Sequence, residues 1–532
     1  MLLAAAATVL VIEAIGDSET VDEFAHLPAG VYYLRTGHFD LYDLSPPLLR
    51  ELAALPVLAA RPAGDFADYT RRPEEHWGLG YEFMEKNRAR YHALYVLGRL
   101  PMIGLALALV VAVHACGTRL LGARAGLGAA ALAAFCPTVL AHGHLVGTDV
   151  GAALGVFLAA WASLGAFRAP TVARTLVLGI TLGGALLTKF SALALYPIVA
   201  VLAAVAAAGA RPRWRPLAAL AGAVALSVAI VNAGYLGRGT GAPLVADQLH
   251  SPTLRAVAAR LGAVPVPLPA EFIDGLDRQH FEASSTYPVY LHGELSWTGW
   301  WYYYPVAFAL KETLPMLLLV AAGAATLALG AATRDPLVRA FLAVPPLLFG
   351  VLLVTATDID LGLRYLLPAY PFLFLVAAAP LAAGRRALAG VGALLVALHV
   401  AVSAAATPHH IAYMNALAGP PDQRWHWLVD SNLDWGQELR RLAAYQRTRG
   451  GVKLRLAYFG RVAPETYGID YEAIQGKLGP GTYVVSASYL AGLPYFLWDH
   501  GTMYEPRPHT FAMFADRKPT AVIGHSLFVY DQ

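Results

Sequence analysis

Apolar runs of about 20 residues recur along the chain, separated by short polar connections. Such runs predict membrane-spanning helices, because a bilayer interior offers no partner for an unpaired backbone group. The pattern therefore predicts a polytopic α-helical membrane protein with about eleven transmembrane helices. The predicted spans are residues 2–15, 94–115, 125–140, 150–167, 176–187, 192–208, 217–236, 302–329, 340–355, 363–383 and 391–406.

The composition supports this class. Of the 532 residues, 57% are hydrophobic and 14% are charged, and the mean hydropathy is +0.51. Soluble proteins carry about 25% charged residues. The net charge of +3 is not typical of a nucleic-acid-binding protein.

Arginines are concentrated in alternate connections, and by the positive-inside rule these connections are cytoplasmic. The arginines concerned are Arg119, Arg124, Arg168, Arg174, Arg211, Arg213, Arg215, Arg334, Arg339, Arg385 and Arg386. The loops 16–91 and 237–301 and the tail from residue 407 then lie outside. The run 2–15 contains Glu13 and is short, so it is either a marginal first helix or continues a helix that starts upstream.

The tail differs in composition from the rest of the chain. We expect a transmembrane catalytic domain at 1–406 and a small extracytoplasmic α/β domain at 407–532. The tail has apparent strands at 453–459, 482–488 and 521–530 and a helix near 435–448. Asp434 and Gln437 fit a capping box at the start of that helix. Trp435 is one of three tryptophans expected to anchor the domain at the membrane surface.

The first external loop carries the densest candidate chemistry. Glu23 is either a catalytic carboxylate beside Asp22 or the N3 residue of a capping box with Thr20, which would by itself account for it. Asp22 is adjacent, and His26 follows Asp22 by four residues, on the same helical face, where it could bind a metal or the acceptor. The segment 48–60 is apolar but too short to span, so it lies in the interface or packs against the core.

Further candidates lie at other predicted outer ends. Arg99 is inside a span, either snorkelling or functional. His142, His144 and Asp149 share one external turn and could form a metal site with Asp22, although Asp149 could simply cap a helix. Lys189 and Arg364 also lie outside. Three cations at one leaflet, Arg99, Lys189 and Arg364, suit an anionic lipid phosphate.

Several of these positions lie in motifs, in order and on one side of the membrane. The motifs are Asp22-Glu23, Pro46-Pro47-Leu48, Arg99-Leu100-Pro101, Asp149, Leu187-Thr188-Lys189 and Gly362-Leu363-Arg364-Tyr365. Over about residues 20–380 the chain resembles the GT-C glycosyltransferases that use polyprenyl-phosphate sugars, nearest to the protein O-mannosyltransferases and the lipid A aminoarabinose transferase. Ser45 replaces the phosphate-contacting lysine of the latter group, and the lumenal insert of eukaryotic O-mannosyltransferases is absent.

The resemblance implies a multi-pass protein of a bacterial inner membrane. It also implies sugar transfer from a polyprenyl-phosphate donor to a hydroxyl of an extracytoplasmic glycan, lipid or protein. In that scheme Asp22 is the general base, Arg99 and Arg364 neutralise the leaving phosphate, and the anomeric carbon inverts. Asp149 holds the acceptor, Asp22 or a divalent metal such as Mg or Mn, the metal requirement being open. The alternatives are a non-enzymatic transporter or flippase of lipid-linked sugars and a transferase of a non-sugar group.

Overall fold

The computed structural model describes residues 1–72, 75–284, 287–355, 357–475 and 478–532. Helices dominate the described residues up to 405. Numbered along the chain, the α-helices are α1 (Leu2–Gly16), α2 (Val21–Thr36), α3 (Leu48–Ala59), α4 (His76–Lys86), α5 (Tyr91–Leu121), α6 (Ala123–Ala134), α7 (Pro137–Gly143), α8 (Asp149–Arg168), α9 (Val172–Leu186), α10 (Leu195–Gly209), α11 (Trp214–Gly234), α12 (Pro252–Leu261), α13 (Ala270–Glu282), α14 (Tyr303–Lys311), α15 (Leu314–Ala328), α16 (Pro336–Thr355), α17 (Tyr370–Ala382), α18 (Arg386–Ala405), α19 (Leu439–Thr448) and α20 (Ala487–Leu490).

Seven helical stretches among the described residues are long and apolar enough to cross a membrane, so the chain is a multi-pass membrane protein. They are Arg88–Leu121, Asp149–Arg168, Phe190–Gly209, Trp214–Gly234, Pro336–Thr355, Leu363–Ala382 and Arg386–Ala405. Two bent helix pairs raise the number to nine if each pair is one span: α6 with α7, bent by 55°, and α14 with α15, bent by 118°.

The remaining two predicted spans are helical but short. α1 and α9 each have 15 residues, which is less than a bilayer-spanning helix needs. Every predicted apolar run is thus helical in the structure, whereas eleven transmembrane helices remain a prediction.

Helix α8 sets the two ends of the membrane region. It begins at Asp149 and ends at Arg168, and its 20 residues span about 30 Å. The end marked by Asp149, called the outer end below, carries α2, α3 and α4. α3 packs against the core, because Ala53, Ala54 and Val57 have no solvent exposure.

The tail contains a five-stranded mixed sheet in the order β4-β3-β5-β9-β8. The described strands are β1 (Val289–Leu291), β2 (Glu294–Ser296), β3 (Leu454–Ala457), β4 (Tyr471–Ala473), β5 (Thr482–Ser486), β6 (Leu497–Asp499), β7 (Thr502–Tyr504), β8 (Ala521–Ile523) and β9 (Leu527–Asp531). β3 is parallel to β4 and β5, and β9 is antiparallel to β5 and β8. The prediction of one strand at 521–530 was wrong, because a turn at Gly524 and His525, both with positive φ, divides it into a hairpin.

The predicted capping box at Asp434 was also wrong. α19 begins only at Leu439. Asp434 instead accepts a hydrogen bond from the backbone N of Ser488 at 3.0 Å, which joins this segment to α20, the short helix that follows β5. Trp435 is 3% exposed and is no surface anchor. The first part of the tail therefore packs against the outer end of the membrane region.

Candidate active site at the outer end

Asp22 lies in the first turn of α2, and two sets of backbone contacts fix its position. The predicted capping box is present, since the Glu23 carboxylate accepts from the backbone N of Thr20 at 3.0 Å. The segment before it is held by the tail: Ser18 N donates to the Gln437 carbonyl at 3.0 Å, and Val21 N donates to the Trp435 carbonyl at 3.1 Å. The tail thus helps to orient Asp22.

Glu23 turns away from Asp22 into the interior. It accepts hydrogen bonds from Arg99 Nε at 2.8 Å, Arg99 Nη2 at 2.7 Å and the backbone N of Val146 at 2.8 Å. Burial raises the pKa of Glu23, but the charge of Arg99 and these hydrogen bonds outweigh that effect and lower it. Glu23 is therefore held as a carboxylate within a structural ion pair.

Arg99 uses its remaining donors within the same network. Its guanidinium also donates to three backbone carbonyls, those of Ala14, Asp17 and Ser18. Arg99 has no solvent exposure, so it does not snorkel. The structure thus places neither Arg99 nor Glu23 where a donor phosphate or an acceptor could reach it without breaking this network.

A second charged group forms around Asp22. Arg364 Nη1 donates to Asp22 Oδ2 at 2.7 Å and lies 3.6 Å from Asp149 Oδ2. Lys189 Nζ lies 2.5 Å from Asp149 Oδ1. The structure therefore brings together four of the predicted site residues, two carboxylates and two cations. We call them the Asp22–Arg364 cluster: Asp22, Asp149, Lys189 and Arg364.

The members of this cluster differ in exposure. The Asp22 side chain is 23% exposed and that of Lys189 is 15% exposed, whereas the Asp149 side chain is 3% exposed. Asp149 is the first residue of α8, where the helix dipole favours a carboxylate. Asp22 and Lys189 are thus the more accessible members, and Asp149 lies beneath them.

Two aromatic rings line the cations. The Arg364 guanidinium carbon lies 4.4 Å from the Trp435 ring centre and 4.9 Å from that of Tyr365. Lys189 Nζ lies 4.6 Å from the centre of the Tyr365 ring. Cation–π contacts of this length stabilise both charges and limit the side-chain positions. Trp435 comes from the tail, more than 400 residues after Asp22 in the sequence.

The tail also supplies a buried carboxylate, Asp430, beside this cluster. Asp430 has a φ of +54°, which costs a non-glycine residue about 1–3 kcal/mol. Its carboxylate accepts from the Tyr495 hydroxyl at 3.0 Å. Burial raises the pKa of Asp430 to about 6, against the opposing charge of Arg364.

The chain next to Asp430 packs tightly against the segment that carries Arg364. Ser431 Oγ donates to the Leu361 carbonyl at 2.8 Å. A Cβ at Gly362 would lie 2.1 Å from Ser431 Oγ, so a larger residue would displace this hydroxyl from its hydrogen bond. The tail thereby holds the segment that carries Arg364.

Sequence reasoning missed the roles of Asp430, Trp435 and Tyr365 in this site. The run 430–437 was visible as a dense polar and aromatic segment. However, no spacing rule relates it to residue 22, and local rules assigned its residues to a cap and a membrane anchor.

The three candidate histidines do not gather around Asp22. His26 Nδ1 lies 2.9 Å from the Val146 carbonyl, and burial lowers the pKa of His26 to about 4. His144 has no exposure and lies 3.2 Å from Asp17 Oδ2. His142 contacts Trp435, with the ring centres 5.6 Å apart.

The predicted metal site formed by His142, His144, Asp22 and Asp149 is therefore not assembled, because His144 pairs with another carboxylate. Within the described ranges, no group of three or more His, Cys, Asp or Glu residues is placed to hold a metal ion. Between Asp22 and Asp149 lies the Arg364 guanidinium, which balances their charges in this arrangement.

Comparison with known proteins gives one family match. Residues 95–235 match the family described as dolichyl-phosphate-mannose-protein mannosyltransferase. This range includes Arg99, Asp149 and Lys189. No curated protein matches the sequence.

Solved structures give distant similarities. ArnT from Cupriavidus metallidurans bound to undecaprenyl phosphate is 14% identical, with 99% of this chain and 97% of that chain covered and a TM-score of 0.47. The oligosaccharyltransferase AglB from Archaeoglobus fulgidus, in complex with an inhibitory peptide and a dolichol-phosphate, is 14% identical, with 84% and 57% covered and a TM-score of 0.49. Neither similarity assigns an activity or a residue role to this chain. The resemblance to the dolichyl-phosphate-mannose-dependent mannosyltransferases indicated by the motifs is confirmed by the family match over residues 95–235.

Proposed function

We propose that the chain is a membrane glycosyltransferase that moves a sugar from a polyprenyl-phosphate donor to a hydroxyl of an extracytoplasmic glycan, lipid or protein. The observation that supports this most is the Asp22–Arg364 cluster, with an accessible carboxylate 2.7 Å from an arginine and a lysine close by. The arginine distribution favours placing the cluster on the extracytoplasmic face, and we place the protein in a bacterial inner membrane.

The leaving group of this reaction is a lipid phosphate, which departs with negative charge. Arg364 and Lys189 supply the cations, and an arginine can bind phosphate through two N–H donors. Fixed donors aimed at charge that develops in the transition state commonly contribute the largest part of catalysis. Phosphate binding was considered for Arg99, Lys189 and Arg364. Because Arg99 is buried, we assign this role to Arg364 and Lys189 alone.

Asp22 acts as the general base. The acceptor oxygen forms a bond to the anomeric carbon as the bond from that carbon to the phosphate oxygen breaks, and the hydroxyl proton passes to Asp22. This is one displacement, so the configuration at the anomeric carbon inverts.

Asp149 acts as a positioning residue. It lies 2.5 Å from Lys189 and 3.6 Å from Arg364 and is nearly inaccessible. Its negative charge keeps Lys189 and Arg364 at the position where the donor phosphate binds. When the phosphate binds Arg364, it competes with Asp22 for the guanidinium, and Asp22 becomes free to accept the proton.

The test uses purified protein in liposomes with a panel of radiolabelled polyprenyl-phosphate sugars. Wild type should transfer or hydrolyse sugar from one donor, and Asp22→Asn should reduce turnover by roughly 10²–10⁴-fold, the usual contribution of a general base. Glu85→Gln is the matched control, since Glu85 is an exposed carboxylate on α4 of the same face.

Full turnover by Asp22→Asn would refute its role as base. If no donor is turned over but binding persists in both wild type and Asp22→Asn, a transporter of lipid-linked sugars is the better account. An NMR measurement of the product anomer, which should be opposite to that of the donor, tests the single displacement.

A further inference from the structure

A large cavity lies at the opposite end of the membrane region from the Asp22–Arg364 cluster. It has a volume of about 610 Å³ and is lined by the ends of α5, α8 and α9. Because α8 runs about 30 Å from Asp149 to the cavity residue Arg168, the cavity lies about one bilayer thickness away from the candidate active site. The cavity is therefore separate from the candidate active site.

The walls and the rim of this cavity differ in chemistry. The walls include Leu158, Trp161 and Val177. The rim carries three arginines, each from a different helix end: Arg119, Arg168 and Arg174. An apolar wall under a cationic rim at a membrane boundary matches the acyl chains and the charged headgroup of a lipid.

Two of the three rim arginines have no acidic partner among the residues that the structure describes. Arg168 pairs with Asp335. Arg174 donates to the Ala169 carbonyl at 2.8 Å, a neutral group, and Arg119 forms no salt bridge with a described carboxylate. Both side chains are exposed. The rim thus has unbalanced positive charge directly above an apolar space.

We propose that this cavity, formed by α5, α8 and α9, binds an anionic glycerophospholipid of the cytoplasmic leaflet. Arg119 and Arg174 hold its phosphate, and the first part of an acyl chain lies against Trp161. Arginine suits this task because its planar guanidinium binds phosphate through two donors. The occupant is a bulk lipid of the leaflet, which requires no sugar donor.

The first test removes the unbalanced charge. Native mass spectrometry of the detergent-solubilised protein, titrated with phosphatidylglycerol or phosphatidylcholine, measures the retained lipid and its Kd. Arg119→Gln/Arg174→Gln should weaken phosphatidylglycerol binding by at least roughly tenfold, since each arginine near an anionic lipid contributes severalfold. The control, Arg385→Gln/Arg386→Gln, removes the same charge from exposed positions outside the cavity and should change binding less than about twofold.

The second test fills the cavity without touching its charge. Gly165 lines the cavity, and a Cβ built there would meet nothing within 4 Å, so Gly165→Leu places a side chain in the open space. It should displace the lipid and keep the fold. Gly104→Leu is the matched control, since Gly104 on α5 is also unobstructed but does not line the cavity.

Selective phosphatidylglycerol binding that both cavity variants lose and both controls keep would establish the site. Equal retention of phosphatidylcholine and phosphatidylglycerol, or unchanged binding in either cavity variant, would overturn the proposal. Preferential retention of a polyprenyl phosphate that Gly165→Leu abolishes would also overturn it, because the occupant would then be the donor lipid. These outcomes do not depend on glycosyltransferase activity.

Discussion

Arg99 and Arg364 each bind one of two adjacent carboxylates at the start of α2, but in different surroundings. Arg99 pairs with Glu23, has no solvent exposure and donates to three backbone carbonyls besides. Arg364 pairs with Asp22, which is 23% exposed, and shares Asp149 with Lys189. The first arrangement satisfies its groups internally and joins segments of the chain, whereas the second keeps a carboxylate and cations available to a ligand.

Among the cations of these two arrangements, replacing Arg364 should give the largest loss of turnover. Arg364→Gln removes the cation between Asp22 and Asp149, so the developing phosphate charge loses its main donor. Turnover should fall by roughly 10²–10³-fold, the loss seen when one such donor is removed. Donor-dependent sugar transfer measures it, with Arg238→Gln as the control, since Arg238 is a partly exposed arginine paired with Glu271 outside the cluster. An equal loss in both variants would contradict a specific role for Arg364.

Replacing Glu23 should affect stability instead. Glu23→Gln leaves the Arg99 guanidinium buried without its counter-charge, which costs about 3–5 kcal/mol. Thermal unfolding in detergent should show a markedly lower Tm, and turnover per folded molecule should stay within a few-fold of wild type. A variant with normal Tm and lost turnover would place Glu23 in the chemistry.

Replacing Lys189 should mainly weaken donor binding. A hydrogen bond to a charged group contributes about 1.5–3 kcal/mol, so Lys189→Met should raise the donor KM roughly 10–100-fold. Lys86→Met is the control, because Lys86 is an exposed lysine of α4. A change confined to kcat, with KM unaltered, would argue against contact between Lys189 and the bound donor.

The smallest effect concerns pH and Asp430. Burial raises its pKa from 3.8 to about 6, so the folded protein holds this proton more tightly than the unfolded chain. The contribution of Asp430 to the free energy of unfolding is therefore greatest at low pH and is lost as the pH rises toward 6. Asp430→Asn, which also tolerates the left-handed backbone, should raise Tm relative to wild type more at pH 8 than at pH 5.

The control for this pH measurement is Asp422→Asn, an exposed carboxylate of the tail. The difference in Tm between this variant and wild type should be the same at pH 5 and pH 8. If Asp430→Asn behaves in the same way, Asp430 does not carry a raised pKa.

Local rules predicted the helices and the caps that depend on nearby residues. Each apolar run became a helix because its length and hydrophobicity act locally, and the capping box of Thr20 and Glu23 was present for the same reason. The same rules failed where a tertiary contact determines the role of a side chain. Asp434 matched a capping box, yet it accepts a bond from Ser488.

The candidate site shows the same division. Asp22, Asp149, Lys189 and Arg364 were predicted as site residues from the sequence, and the structure brings these four side chains together. Arg99 was predicted with them, because an arginine near the outer end of a span shows the same sequence pattern whether it faces a ligand or a buried carboxylate. Only the contacts of Glu23 with Arg99 and Val146 distinguish the two cases. The tail residues could not be found, because nothing in their spacing relates them to α2.

The most direct test compares Arg364→Lys with Arg99→Lys by turnover per folded molecule. Lysine keeps the charge but loses the planar, multiply donating guanidinium. We expect Arg364→Lys to keep a near-normal Tm and to lose most turnover. Arg99→Lys should have a lower Tm and near-normal turnover per folded molecule. Lost turnover in a stable Arg99→Lys protein, with full activity in Arg364→Lys, would contradict the assignment of the active cluster.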